Sequence, residues 1–217
     1  MSVAQAAKAA GLSRSRVNAL VRSGRLQARW VGSQHVIVDP SELLSMPRRP
    51  GRPMSARMAW GLLLLADGER PDWLNPGDVY RLRKHLEQLR RDPEPELLLQ
   101  ALVVNRGERL PLHGPEPRRL LDDADVVPSG ISDPRAGLSA GSDVEAYVHA
   151  DDVRSVIRRH LLVEPGSGRP NVWLHSSAFV PPVSVRLQVA ADLAEHGGSR
   201  ERSRARQLIR AAMEGVK

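Results

Sequence analysis

The chain has 217 residues, of which 41% are apolar, so it is long enough for two modest domains and can bury a core. It contains no cysteine, which excludes disulfides, a cysteine-based zinc site and a thiol nucleophile. The formal net charge of +7 is unevenly spread: residues 1–58 hold ten Lys and Arg against two acids, residues 59–198 hold 16 against 21, and residues 199–217 hold six against two. This asymmetry predicts that an N-terminal module binds a polyanion and that the rest of the chain forms a domain with another role. A general bias towards arginine in the coding sequence would give the same excess of positive charge.

Two features of the sequence bear on the compartment of the protein. Residues 1–11 lack the uninterrupted apolar core of a signal peptide. The longest apolar run, AWGLLLLA at residues 59–66, is too short to cross a bilayer. We therefore expect a cytoplasmic protein with no membrane partner.

The N-terminal residues predict two short helices joined by a glycine turn. Ser2 and Gln5 have the spacing of a capping box at the start of the first helix. Small apolar side chains then share one face of that helix: Val3, Ala6, Ala7 and Ala10. After the break at Gly11, Ser13 caps a second helix that ends at Gly24. Apolar side chains share the inner face of this second helix: Val17, Leu20 and Val21. The pattern predicts a helix-turn-helix.

A hairpin and a third helix complete the predicted N-terminal module. The segments RLQARWV and HVIV are typical of strands, with the turn GSQ at residues 32–34 between them. Asp39 and Pro40 combine an N-cap with a proline at the first helical position, which predicts a short helix through Leu44. The expected module is a winged helix-turn-helix over residues 1–46.

The segment SVAQAAKAAGLSRSRVNALVRSGRLQARWVGSQHVIVDPSELL resembles the winged helix-turn-helix of excisionase-type and MerR-type DNA-binding proteins. It shares with them an Ala-rich helix, a GLS turn, a second helix that ends in SG, a short wing and a DP start to the last helix. The resemblance covers about 45 residues. It implies that this module binds double-stranded DNA.

Side chains opposite the apolar face of the second helix are expected to point towards a major groove. Arginine pairs well with guanine and asparagine with adenine, so Arg14 and Asn18 are the candidate base contacts, assisted by Ser15. A second group is expected to contact phosphate or, at the wing, the backbone and minor groove. Its members are Arg16, Arg22, Arg25, Arg29, Gln34 and His35. For each residue the alternative is a solvated surface side chain.

The segment PRRPGRPMS at residues 47–55 separates this module from the rest of the chain. Its RRPGRP core is similar to the GRP unit of AT-hook segments, which lie in narrow A·T-rich minor grooves. Pro50 departs from that pattern because it stands where the hook has an arginine. We expect a proline-stiffened linker in which Arg48, Arg49 and Arg52 contact phosphate. An inert spacer and true minor-groove reading are the alternatives.

The remaining residues predict a mainly helical segment followed by a mixed one. Three helical patterns come first, in SARMAWGLLLLADG, PGDVYRLRKHLEQLRRD and EPELLLQALVV. Residues 115–142 are rich in Pro, Gly, Ser and Asp. DVEAYVH then predicts a strand, and ADDVRSVIRRH predicts a helix. LLVEP and NVWLH predict two strands around the turn GSGRP. The C-terminal residues predict two capped helices. The expected fold is α+β and mainly helical, with a C-terminal α/β domain over residues 56–217 that is helical over 56–125 and mixed over 126–217.

Catalytic chemistry has little support in the sequence. The seven histidines are scattered without metal-ligand spacing, and no phosphate-binding loop or nucleophile elbow occurs. Asp143 and Glu145 follow Gly141-Ser142 on a predicted strand, superficially as in nucleotidyltransferases, but here the Gly-Ser turn abuts the carboxylates and leaves no room for phosphates. We therefore expect an ordinary exposed strand face, with no catalytic residue, no cofactor and no metal site.

Four segments of the second part carry another resemblance: GRPMSARMAWGLLLLADGERPDWL, VVPSGIS, SDVEAYVHADDVRSVIRRHLLVEPGSGRPNVWLH and VRLQVAADLAEHGGSRERSRARQLI. They look like the corresponding segments of actinobacterial AbiEi-type antitoxins, and the resemblance extends over most of the chain. That family implies a winged helix that binds the operator of its own operon and a C-terminal domain that antagonises a nucleotidyltransferase-type toxin. The resemblance therefore implies an antitoxin and autorepressor that is not an enzyme.

Two other interpretations remain open. The first is an excisionase-like or MerR-like transcriptional regulator whose C-terminal domain dimerises or senses a ligand, which keeps a homodimer among the expected partners. The second is an enzyme, such as a nuclease or nucleotidyltransferase, fused to a DNA-reading module. A neighbouring gene that encodes a nucleotidyltransferase would favour the antitoxin.

Overall fold

The computed structural model describes residues 2–10, 14, 17–18, 21, 28–31, 34–37, 52–138 and 141–215. Within these ranges the fold combines helices with sheets and has more helix than strand, which confirms the predicted α+β class. The chain divides into two compact units, residues 1–48 and residues 49–217. No helix in the described ranges is long and apolar enough to span a membrane.

The first unit contains helix α1 (Val3–Ala10) and an antiparallel hairpin of strands β1 (Ala28–Val31) and β2 (Gln34–Ile37). The predicted capping box is present. The Ser2 amide donates to Gln5 Oε1 at 2.9 Å, and the Gln5 amide donates to Ser2 Oγ at 3.2 Å. These two bonds satisfy amides that the first turn of a helix otherwise leaves without partners.

Side-chain burial in the first unit follows the predicted helical faces. Ala6 and Ala7 of α1 are buried, and so is Val17, whose backbone is also helical. The predicted turn at residues 32–34 is one residue too long, because Gln34 already belongs to β2 and pairs with Val31. The third helix of the predicted module lies outside the described residues, and the winged helix-turn-helix as a whole stays a prediction.

The second unit begins with three helices where the sequence predicts them: α2 (Ala56–Ala66), α3 (Pro76–Arg91) and α4 (Pro95–Val103). Helix α3 starts at a complete capping box. Its N-cap Asn75 accepts a hydrogen bond from the Asp78 amide at 2.8 Å, and the Asp78 carboxylate accepts one from the Asn75 amide at 3.3 Å. The capping explains why a helix with an exposed, strongly charged face begins sharply at this point.

Within residues 52–138 and 141–215, a mixed sheet has the strand order β3-β6-β5-β4. Its strands are β3 (Glu108–Leu112), β4 (Val126–Pro128), β5 (Val144–His149) and β6 (Val172–Ser177). Strands β5 and β6 are parallel, and helix α5 (Val153–Arg159) joins them, as a parallel connection requires. The edge strands β3 and β4 are antiparallel to their neighbours. Helices α6 (Arg186–His196) and α7 (Ser199–Gly215) complete the unit.

Two parts of the predicted organisation are wrong. The sequence predicts only helix over residues 56–125, but β3 lies in that range and pairs with β6. LLVEP was expected to pair with NVWLH, whereas its Val163 forms only an isolated bridge to His113 and the NVWLH strand pairs with β5 and β3. Both errors have one cause: strand partners distant in the chain decide the pairing of short segments such as ERLPL.

The two faces of the sheet have different chemistry. On one face, alternate positions of β5 and β6 are apolar and pack with α5 into a small core: Val144, Ala146, Val148, Val172 and Leu174. The intervening positions face the larger helical core and are mostly polar or aromatic: Glu145, Tyr147, Trp173, His175 and Ser177. Because successive side chains of a strand point to opposite faces, the same two strands present a hydrophobic side and a polar side.

Close packing of α2 on its neighbours depends on Gly61. A Cβ at this position would lie 2.9 Å from Leu74 Cδ2 and 3.1 Å from Leu82 Cδ1, so both leucine side chains would have to shift to admit a larger residue. The predicted apolar stripe of α3 is confirmed, because all four of its members are buried: Val79, Leu82, Leu86 and Leu89.

Truncation of Leu82 tests this packing. Leu82→Ala should lower the free energy of unfolding by about 2–5 kcal/mol, because the side chain is fully buried and its removal leaves a cavity. Its exposed neighbour offers a matched control, and Arg83→Ala should change the same quantity by less than about 0.5 kcal/mol. Urea denaturation of both variants measures the difference. Equal effects would contradict the packing of α3 against α2.

Candidate functional site

The two candidate base contacts lie on helical residues of the first unit. Arg14 is exposed. Asn18 is half-buried and follows Arg14 by four residues, so the two side chains share a helical face. Val17, next to Asn18, is fully buried. At these positions an apolar side chain is therefore buried and a cationic one lies in solvent.

The other predicted DNA contacts are dispersed. Arg29 lies in β1, whereas Gln34 and His35 lie in β2. Arg52 is exposed ahead of α2, and nearby the backbone amide of Met54 donates to a carbonyl of α4, so the end of the predicted linker packs on the second unit. The remaining candidates lie outside the described residues: Ser15, Arg16, Arg22, Arg25, Arg48 and Arg49.

A second group of polar residues is buried in the second unit, on the polar face of the sheet. Glu145 of β5 and His175 of β6 lie beside Asp192 and His196 of α6. His175 Nε2 is 2.9 Å from Glu145 Oε1, and His196 Nε2 is 2.8 Å from Glu145 Oε2. Glu145, His175 and Asp192 are buried, whereas 16% of the His196 side chain is exposed. One carboxylate therefore lies between two imidazoles, and one of these reaches solvent.

Asp192 is held by a different set of donors. Arg106 Nη2 donates to Asp192 Oδ1 at 2.6 Å, and the Tyr147 hydroxyl donates to the same oxygen at 2.8 Å. The Ser129 hydroxyl donates to Asp192 Oδ2. Arg106 is itself buried and donates to Glu195 Oε1 through Nη1 and to the Tyr147 hydroxyl through Nε, both at 2.6 Å. The buried guanidinium thus joins two carboxylates and a phenol.

The turn at residues 129–132 closes over this group. The Ile131 amide donates to Glu145 Oε2 at 3.2 Å, and the Glu145 amide donates to Ser132 Oγ at 2.9 Å. Gly130 has φ +50°, and a Cβ there would lie 1.7 Å from Glu145 Oε2. Only glycine fits, because the backbone is left-handed and the carboxylate occupies the space of a side chain. The turn therefore fixes the position of the Glu145 carboxylate.

Burial and hydrogen bonding oppose each other in this group. Burial raises the pKa of Glu145, but the hydrogen bonds and charges of His175 and His196 outweigh it and hold that pKa well below its ordinary value. Burial lowers the pKa of His196, yet its hydrogen bond to the Glu145 carboxylate leaves that pKa above the ordinary value. Burial raises the pKa of Asp192, and the charge of Arg106 offsets this only in part. Ionised Glu145 and protonated His196 therefore stabilise each other.

Strand β5 and its neighbours differ from what the sequence predicts. Glu145 was expected on an exposed strand face and is completely buried, and two histidines that look scattered in the chain meet at its carboxylate. Asp143 does not join Glu145: it precedes β5 and pairs with Arg169 at 2.6 Å. One signal was present in the sequence, since Asp192 and His196 are four residues apart and so share a face of α6.

The donor atoms in this group are of the kind that hold metal ions. Glu145, His175 and Asp192 each offer one ligand atom, and these atoms all lie within 4.8 Å of one another. Carboxylate oxygens and imidazole nitrogens are common ligands of divalent transition metals. The arrangement can therefore bind either protons or a cation.

The paired pKa shifts predict a pH optimum for the stability of the second unit. Glu145 contributes stability at pH values above its unfolded-state pKa of about 4.5, and loses it as the pH falls through its lower folded-state pKa. His196 contributes stability below its unfolded-state pKa of about 6.5, and loses it as the pH rises through its higher folded-state pKa. The contribution of the pair should thus be greatest between about pH 4.5 and 6.5 and decline on both sides.

The variant His196→Gln tests this dependence because glutamine keeps a hydrogen-bond donor but does not titrate. In EDTA, wild type should exceed it in free energy of unfolding by about 1 kcal/mol near pH 5.5, because the imidazolium adds a positive charge to the hydrogen bond, and by less above pH 8. His149→Gln is the control, since His149 is half-exposed. A difference that does not change with pH would contradict the assigned ion pair.

Comparison with known proteins adds no relative. No family model, no curated protein and no solved structure matches this chain. The residues of the chain itself therefore carry the functional argument.

Proposed function

We propose that this protein is a DNA-binding antitoxin of the AbiEi type, which represses its own operon and antagonises a nucleotidyltransferase-type toxin. The observation that carries the DNA-binding half is the polarity of the second helical segment. Val17 is buried while Arg14 is exposed, so an apolar side chain of the segment faces inward and a cationic one faces solvent. A recognition helix needs this orientation, because its outward side chains read base edges in the major groove.

The charge of the N-terminal residues supports the same proposal. Residues 1–58 combine ten cationic side chains with two acids, and this is the electrostatic pattern of a module that follows a phosphate backbone. The antiparallel hairpin of β1 and β2 supplies the type of element that acts as a wing beside a recognition helix. Arg14 and Asn18 then read bases, while Arg29 and its cationic neighbours contact phosphates.

The antitoxin half of the proposal rests on the resemblance of the second part to AbiEi-type antitoxins and on the organisation of the second unit. Helices α2, α3, α4, α6 and α7 of the second unit build an apolar core. Its most deeply buried carboxylates, Glu145 and Asp192, are surrounded by hydrogen-bond partners of the same unit. The second unit can therefore fold around its own core and polar network, as a separate toxin-binding domain requires.

Variants of the first unit test DNA recognition. Asn18→Ala should relax the preference at one base position of the operator by about 1–3 kcal/mol, because it removes a base contact. Arg29→Ala should weaken binding to all sequences alike and lower the slope of log affinity against log salt by about one. Fluorescence anisotropy with operator variants at several salt concentrations measures both effects.

The exposed Arg154 of α5 provides the control, and Arg154→Ala should leave affinity and salt slope unchanged. Full-length protein that binds neither operator nor random DNA at low salt would contradict the assignment. Equal effects of Asn18→Ala and Arg154→Ala would remove Asn18 from the base contacts.

The proposal that the second unit neutralises the toxin is tested by a variant that should lose repression but keep neutralisation. The full-length double variant Arg14→Ala, Asn18→Ala should lose repression of the operon promoter but still restore growth when co-expressed with the toxin encoded next to it. The physical reason is that the two changes lie in the first unit, whereas toxin binding is assigned to the second unit. Reporter activity and colony counts measure the two functions.

The wild-type chain is the reference for both measurements. Failure of wild type to restore growth, while it still represses the promoter, would favour the transcriptional regulator whose second unit dimerises or senses a ligand. Loss of growth rescue together with repression in the double variant would place neutralisation in the first unit and contradict the proposed division of roles.

A further inference from the structure

The buried group around Glu145 has more acceptor capacity than its neighbours use. Each oxygen of an ionised carboxylate accepts about two hydrogen bonds. Glu145 Oε2 receives His196 and the Ile131 amide, but among the described residues Glu145 Oε1 receives only His175. One acceptor position on that oxygen is therefore free for a cation.

Asp192 shows the same pattern. Its Oδ1 receives both Arg106 and the Tyr147 hydroxyl. Its Oδ2 receives, within the part of the chain that the structure describes, only the Ser129 hydroxyl. Each of the two buried carboxylates thus has one oxygen with a single donor among the described residues, and a second lone pair of that oxygen can face a cation.

His175 supplies a nitrogen between these two carboxylates. Its ring stacks on Tyr147 with centroids 4.6 Å apart and an interplanar angle of 13°, so its orientation is restrained. Its Nε2 lies 2.9 Å from Glu145 Oε1. When a cation binds, the imidazole would carry its proton on Nδ1, and the lone pair of Nε2 would face the ion instead of a proton shared with Glu145. Restraint of a ligating imidazole by neighbouring groups is typical of metal sites.

The balance of charge also favours a cation. The carboxylates of Glu145, Asp192 and Glu195 lie near the guanidiniums of Arg106 and Arg109, so these five groups carry one more negative than positive charge. A buried carboxylate without a compensating positive charge is costly. A cation bound beside Glu145 and Asp192 would offset that negative charge.

We propose that Glu145, His175 and Asp192 form a binding site for a divalent first-row transition-metal ion such as Zn²⁺. The ion links β5, β6 and α6, and His196 and Arg106 hold the two carboxylates from outside. Ligands about 2.1 Å from a tetrahedral ion lie about 3.4 Å apart, so donors now within 4.8 Å of one another would close by at most about 1.4 Å. His196 is the partly exposed residue beside which the ion enters. The inference does not depend on the proposed function.

Metal analysis of the untagged full-length protein tests the site. The protein is stripped with a chelator, dialysed against Zn²⁺ at pH 7.5, and its zinc is measured by mass spectrometry and titration calorimetry. We expect one equivalent per chain. His175→Gln and Glu145→Gln should each lose it, whereas His149→Gln, a change to a half-exposed histidine on the same strand, should retain it.

A variant that keeps all three ligands tests the site even if the ligand variants fail to fold. Ser129→Ala leaves the three ligands in place but removes the donor to Asp192 Oδ2, and should weaken zinc affinity by roughly 10–100-fold. Co²⁺ provides a second measurement on wild type, since a site of nitrogen and oxygen ligands should give visible absorption bands that Zn²⁺ displaces. Less than one-tenth of an equivalent of zinc on wild type, or equal zinc binding by wild type and His175→Gln, would overturn the proposal.

Discussion

The second unit depends on one buried guanidinium, that of Arg106. Its side chain donates to Asp192 and Glu195 of α6 and to the Tyr147 hydroxyl of β5, and its carbonyl accepts from Trp60 Nε1 of α2 at 2.7 Å. A single residue between α4 and β3 thus joins two helices to the sheet. Removal of one partner from a buried ion pair typically costs about 3–5 kcal/mol, because the other charge stays buried without compensation. The polar face of the sheet is stable only while this set of bonds is complete.

The alternation of side chains in β5 and β6 explains why such a set can exist beside a hydrophobic core. One face of these strands is apolar and packs under α5, while the other carries Glu145, Tyr147 and His175 towards α6. The polar face has two parts. In one part Arg106 forms ion pairs, and in the other the Glu145 carboxylate bonds two titratable histidines. Tyr147 connects the two parts, because its hydroxyl bonds Asp192 and its ring stacks on His175. Proton binding and folding are therefore coupled at one place in the unit, and the proposed cation site lies at the same place.

The two units divide the chemistry of the chain. The first is cationic and exposes Arg14 beside a buried Val17, an arrangement suited to nucleic acid. The second has its own apolar core and places its polar chemistry inside. In the proposed function the first unit reads the operator and the second contacts the toxin.

The sequence by itself determined the local features: the capping boxes at Ser2 and Asn75, the limits of the main helices and the buried stripe of α3, of which Leu82 is a member. Each of these depends on residues within a few positions of one another, where backbone hydrogen bonds and the helical period decide the outcome. Only the tertiary structure decided the pairing of β3 with β6 and the group around Glu145. His175 and His196 are 30 and 51 residues from Glu145 in the chain, so no local pattern relates them. They meet because two parallel strands and a helix packed on them bring these distant positions to one face of the sheet. Burial then makes the protonation of each of the three residues depend on the others.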